Sequence, residues 1–192
     1  MIPSPVDIGM GVVMVQPQKV GPGFYLILPL IALATFVLHE GEHWLTGVVL
    51  GHEMTVSLNS SAPVGAVSRE HALLISAAGP LVTLAGGLIA FAFVLARDSL
   101  AAYGVLFFAL FMRFSAAVIS LIHPNDEARI SLDLGLGLYA LPAVMVGVLM
   151  VLTVIAARRL RLGWKTHLAV YLVCTAALAA VVVADQVLIP RF

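Results

Sequence analysis

Five long apolar stretches occupy most of this chain, over residues 24–50, 72–96, 99–122, 134–157 and 166–184. A helix needs about 20 mostly apolar residues to cross the hydrocarbon core of a bilayer, and each stretch meets that length. The second and fourth contain no charged residue, and the third contains one, Arg113. Composition agrees: 61% of residues are apolar and 10% charged, against about 45–50% and about 25% in soluble domains. The sequence therefore predicts an all-α integral membrane protein of about five transmembrane helices, with four to six as the range.

The same numbers exclude other classes. Ten basic and ten acidic residues cancel, so no net field steers a nucleic acid or other charged partner to the chain. A single cysteine, Cys174, excludes a disulfide framework and a cysteine-rich metal site. Residues 1–22 lack the basic start and apolar core of a signal peptide. With Pro3, Pro5, Pro17 and Pro22 they read as an irregular leader, and 23–192 as one membrane-embedded domain in a multi-pass protein of the cell membrane.

The first span carries an anomaly, His39-Glu40-Gly41-Glu42-His43, set between uncharged runs. An acidic residue at the centre of a membrane helix costs about 2.5–3.5 kcal/mol, so two of them and two histidines need compensation. A divalent cation supplies it. His39 and His43 are four apart and project from one helix face, as in the HExxH arrangement. There two histidines hold zinc and the glutamate between them is the general base on the zinc-activated water. Glu40 takes that role here.

A catalytic zinc usually has three protein ligands. Candidates for the third lie in His123-Pro124-Asn125-Asp126-Glu127-Ala128-Arg129, just past the third span. Asp126 stands first, with Glu127 and His123 behind it. At 1.5 Å per residue, Gly41 lies about 26 Å along its helix and Asp126 about 40 Å along its own. The two meet if the chain breaks and bends back at Pro124, since proline disfavours helix in the residue before it.

Three blocks in order make the chain similar to the site-two protease family of intramembrane zinc metalloproteases. They are HEGEHWLTGVVLG from His39, REHALLISAAGPLV from Arg69 and PNDEARIS from Pro124, within a metal core over 24–135. The resemblance implies one Zn2+ per chain held by His39, His43 and Asp126, with Glu40 as base. The implied substrate is a transmembrane segment of another protein, cleaved within the lipid bilayer. Departures are Glu42, Glu127 and Ala128 where the family has glycine, Thr83 and Val118 where it has asparagine, and Leu121 where it has proline. They point to an alternative, a non-proteolytic relative that binds metal or client helices. A metal transporter is disfavoured because the second and fourth spans carry no charged groups to line a path.

Between the first two spans, Met54, Val56 and Leu58 alternate with Thr55, Ser57 and Asn59, a strand period, and Ser60, Ser61 and Pro63 supply turn chemistry. A short surface β-hairpin is expected. The family resemblance implies a strand edge there that binds extended substrate by strand addition.

Orientation has two indications that oppose each other. Arg158, Arg159, Arg161 and Lys165 put the fourth loop in the cytoplasm, together with Lys19 and Arg97, leaving Arg69, Arg129 and Arg191 outside. The family resemblance instead puts the metal end nearer the cytosol. The remaining polar residues have simpler readings. Arg113 lies thirteen residues before Asp126, about 20 Å along a straight helix, and reads as half of a buried ion pair, with Asp185 as one partner, or as snorkelling to the surface. His52 and Glu53 read as loop, and His71 and His167 as interfacial. Gly79, Gly86 and Gly87 read as helix-packing residues, and Cys174 as core.

Overall fold

A computed structural model describes residues 18–188. The elements in order are α1 (Pro22–Val49), β1 (Met54–Val56), β2 (Ser61–Pro63), α2 (Arg69–Arg97), α3 (Leu100–Ile119), α4 (Asp126–Asp133), α5 (Ala140–Arg159) and α6 (Trp164–Leu188). All except α4 and the strands are long and apolar enough to cross a membrane, so the five predicted spans are present. Of the expected leader, residues 1–17 lie outside the described residues, as does Arg191; residues 18–21 are non-helical and α1 starts with Pro22 at its first position.

Local chemistry sets the helix ends. Ser68 and Ser99 cap α2 and α3, their hydroxyls accepting from the backbone N–H of His71 and Ala102. The chain leaves α2 through Asp98, in the left-handed region at φ 49°, where aspartate is better tolerated than most residues. The fourth span begins later than the sequence predicted, at Ala140 rather than residue 134. Gly135 and Gly137, at φ 72° and 83°, make the intervening turn, and the Ser131 hydroxyl donates to the Gly137 carbonyl.

The packing is a bundle in which α1 touches α2, α3 and α6, while α2 and α3 also pack on α5. The buried stripe of α1 runs Phe24, Leu28, Ala32, Phe36 and then His39, Glu40, His43 and Gly47. One face thus begins as aliphatic and aromatic core and continues as the polar cluster. Leu26, Leu30, Val37 and Leu38 on the other faces are exposed, as a lipid-facing surface requires.

The expected hairpin forms, with β1 and β2 antiparallel and Met54 opposite Pro63. Its turn is earlier than the sequence reading placed it. Residues 57–60 turn, closed by the Ser57 N–H on the Ser60 carbonyl at 2.7 Å, and Ser61 and Pro63 belong to the strand. Proline is accepted there because a two-stranded ribbon has an outer edge that needs no N–H.

The bundle has two distinct ends. At one, the backbone N–H of Gln18 bonds the Arg161 carbonyl at 3.0 Å and Arg159 Nε bonds Asp98 at 2.8 Å. At the other lie the hairpin, α4 and the Arg69–Asp133 pair at 2.8 Å.

Candidate metal centre

The break expected at Pro124 is the feature that completes the site. α3 stops at Ile119, and the backbone N–H of Asn125 bonds the Ser120 hydroxyl while its side-chain amide donates to the Ala116 carbonyl at 2.9 Å. The chain then re-enters helix at Asp126, the first residue of α4, where the helix end favours a carboxylate. Arg129 holds Asp126 Oδ1 at 2.6 Å. The other oxygen, Oδ2, faces α1.

His39 Nε2, His43 Nε2 and Asp126 Oδ2 form a group that could hold a metal ion. The edges of this triangle are 3.2 Å between the histidines, 3.2 Å from His39 to Asp126 and 3.4 Å from His43 to Asp126. A tetrahedral zinc with bonds of about 2.0 Å separates its ligands by about 3.3 Å. The donor set therefore fits such an ion without rearrangement.

The far nitrogens of the two rings bear on what the triangle can hold. His43 Nδ1 lies 2.5 Å from the Ile75 carbonyl, which only accepts, so Nδ1 carries the proton. His39 Nδ1 lies 3.1 Å from Thr83 Oγ1, and the Thr83 hydroxyl already donates to the Gly79 carbonyl at 2.9 Å. That oxygen therefore accepts from His39, whose Nδ1 also carries its proton. In the neutral rings both Nε2 atoms then present lone pairs, aimed at each other and at a carboxylate oxygen. Either a cation or additional protons must relieve that arrangement. In the protonated alternative, burial would raise the Asp126 carboxyl, but hydrogen bonds and charge from His39 and His43 hold it well below the usual carboxylate range. A divalent ion and protons compete for one triangle.

α2 is shaped for this contact. Gly79 lies flush against both imidazoles: a Cβ there would meet His43 Nε2 and His39 Cε1. Gly79 therefore belongs to the site, beyond the general packing role read from the sequence. Gly86 does not, since a Cβ there meets nothing within 4 Å.

A cavity of about 320 Å³ adjoins the triangle. Glu40, buried on α1, lines it with His39, His43 and Asp126. Residues 59–61 of the hairpin and Leu178 and Val182 of α6 form its far wall. The Asn59 N–H bonds Asp185 Oδ1 at 3.2 Å, tying the hairpin turn to α6.

The two fallback ligands lie elsewhere. His123 is exposed, and Glu127 is buried against Arg113, with Nη1 to Oε1 at 3.2 Å. Arg113 is also 3.8 Å from Asp126 Oδ2. The sequence reading that set Arg113 too far from Asp126 is corrected: it measured along a straight helix, and the chain folds back. Arg113 forms part of the cavity wall. Thr83 and Arg129 were likewise missed as site residues. The one signal for Thr83 was its place where the family pattern has asparagine. His52 Nε2 and His71 Nδ1 share a hydrogen bond of 2.7 Å, so these residues pair with one another at the hairpin base.

Comparisons with protein-family models, with curated proteins and with solved structures found no match to this chain.

Proposed function

We propose that this chain is an intramembrane zinc metalloprotease that hydrolyses a peptide bond in or near a transmembrane segment of another protein. The carrying observation is the triangle of His39, His43 and Asp126 at tetrahedral-edge spacing, with both Nδ1 protons committed to α2 and Glu40 in the adjoining cavity. The similarity of the HEGEH, AAGP and PNDEAR blocks to site-two proteases supports the same reading.

A zinc ion bound there supplies a water of lowered pKa and polarises the scissile carbonyl. Glu40 takes the proton from the attacking water and passes it to the leaving amine. Thr83 and the Ile75 carbonyl hold the imidazoles in register, and Arg129 keeps Asp126 Oδ2 turned inward. A helical peptide bond is shielded by its own hydrogen bonds, so the substrate must be extended before attack. The hairpin beside the cavity offers a strand edge for that purpose.

Metal analysis of the detergent-purified chain tests the site. One zinc per chain is expected, with loss or strong weakening in His43→Ala and in Asp126→Ala. Absence of metal from wild type in a folded preparation removes the enzyme reading altogether. Glu40→Gln then separates protease from idle relative. It is expected to keep its zinc and to co-purify with uncut membrane clients whose fragments appear only with wild type. Identical client patterns in the two would favour the non-proteolytic relative, which the altered glycine and asparagine positions also favour.

A further inference from the structure

A second cavity, of about 710 Å³, lies between α3, α5 and α6 and shares no lining residue with the metal centre. Its walls are aromatic and aliphatic: Phe107, Phe111, Phe114, Met150 and Val154 among them. Its charged groups sit at one end, where Arg158 and Arg161 meet it beside the Tyr103–His167 hydrogen bond of 3.0 Å, while the Thr153 hydroxyl in its wall donates to the Leu149 carbonyl. Both arginines are exposed, and neither has a carboxylate within 4 Å among the described residues, whereas the adjacent Arg159 is paired with Asp98.

Two measures indicate the occupant. From Tyr103 to Phe114 along α3 is about 16 Å, and from Met150 to Arg161 along α5 is similar. That is one leaflet of a hydrocarbon core about 30 Å thick. A partner helix would need a groove running the full thickness, whereas an acyl chain needs one leaflet. The cationic end lies at the bundle surface, where a headgroup phosphate would sit, and guanidinium groups match phosphate oxygens in pairs. Arg161 is also held at φ 52° in the turn that ends α5, where the Leu162 N–H bonds the Ala157 carbonyl at 3.0 Å. This is the position glycine normally takes, and the chain keeps an arginine there.

We propose that this groove is a binding site for one anionic phospholipid of the bilayer, with an acyl chain between α3, α5 and α6 and its phosphate on Arg158 and Arg161. The full chain, stripped of lipid in non-ionic detergent, is equilibrated with mixed micelles of phosphatidylglycerol and phosphatidylcholine, and native mass spectrometry counts retained lipids. Wild type is expected to hold one phosphatidylglycerol per chain, preferred over phosphatidylcholine by roughly tenfold or more, given the contribution of each surface arginine. Arg158→Gln with Arg161→Gly should bring that preference close to parity. The glycine relaxes the backbone at 161, so the loss is not one of folding. Val154→Trp, on the exposed groove wall, should displace the lipid while leaving zinc content unchanged. Equal retention of the two lipids by wild type, or a preference untouched by the arginine changes, overturns the proposal. So does a lipid-free dimer that Val154→Trp dissociates, which would make the groove a contact between copies.

Discussion

Thr83 carries more of the metal centre than its chemistry advertises. Its hydroxyl gives its proton to Gly79 and takes one from His39, which fixes which nitrogen of His39 faces the triangle. Thr83→Val keeps the shape and removes both bonds. Zinc affinity should fall by roughly 10- to 100-fold, read by competition with a chromogenic chelator, while Thr83→Ser stays close to wild type. Gly79→Ala should weaken zinc binding at least as much, because its methyl enters the space beside His43 Nε2 and His39 Cε1. Gly86→Ala is the control and should change nothing; equal losses at 79 and 86 would make the effect one of general packing. The two histidines and the glutamate were legible because their spacing is itself a motif on a helix. Thr83 was legible only as a departure from a pattern. Its role depends on which face of α2 meets α1, and no local spacing encodes that.

At the level of elements, the turn from α3 into α4 decides whether there is a site. Proline 124 announced the break, and the sequence placed Asp126 correctly on the far side of it. The short helix α4 was hidden because Asp126, Glu127, Arg129 and Asp133 leave it no apolar run, and the segment was read only for a metal ligand. Its docking was hidden with it. Arg113 and Glu127 are both buried, and their ion pair fastens α4 onto α3. Arg113→Met should destabilise the chain by about 3–5 kcal/mol, since it strands Glu127 in the interior. Arg113→Met with Glu127→Leu should recover most of that loss, because two apolar side chains replace a desolvated pair. Unfolding in detergent reads both variants, and a double variant no better than the single would show that the pair does more than neutralise itself.

Across the whole molecule, the charged residues sort into two ends. Asp98 and Arg159 pair at one, beside Arg161, and Arg69, Asp133, Asp126 and Arg129 gather at the other. Among the described residues these ends match the two groups in the charge count, and five spans would set them on opposite faces of a bilayer. Val64→Cys in the hairpin region and Lys165→Cys in the first turn of α6 are both exposed positions, and Cys174 is buried. In intact cells a membrane-impermeant maleimide should label one of the two and not the other. Labelling at 64 alone supports the orientation read from the basic loop, and labelling at 165 alone supports the one implied by the protease resemblance. Labelling of both would break the five-span topology. Span count was legible because hydropathy is local. Orientation was not, because four of its votes came from one loop.

The commitment of both imidazole protons to α2 has a consequence for the protein as a thermodynamic object. His39 and His43 belong to α1, their proton acceptors to α2, and the third donor to α4, so an ion at the centre ties three separate elements together. Emptying the triangle leaves like partial charges facing one another across α1 and α4. Whatever binds the folded chain and not the unfolded one stabilises it, by about 2.7 kcal/mol at a hundred times its dissociation constant. With a metal bound at the triangle, loading and folding would be one equilibrium seen from two sides. A chelator would then act on the chain as a denaturant, one that leaves its apolar surface untouched.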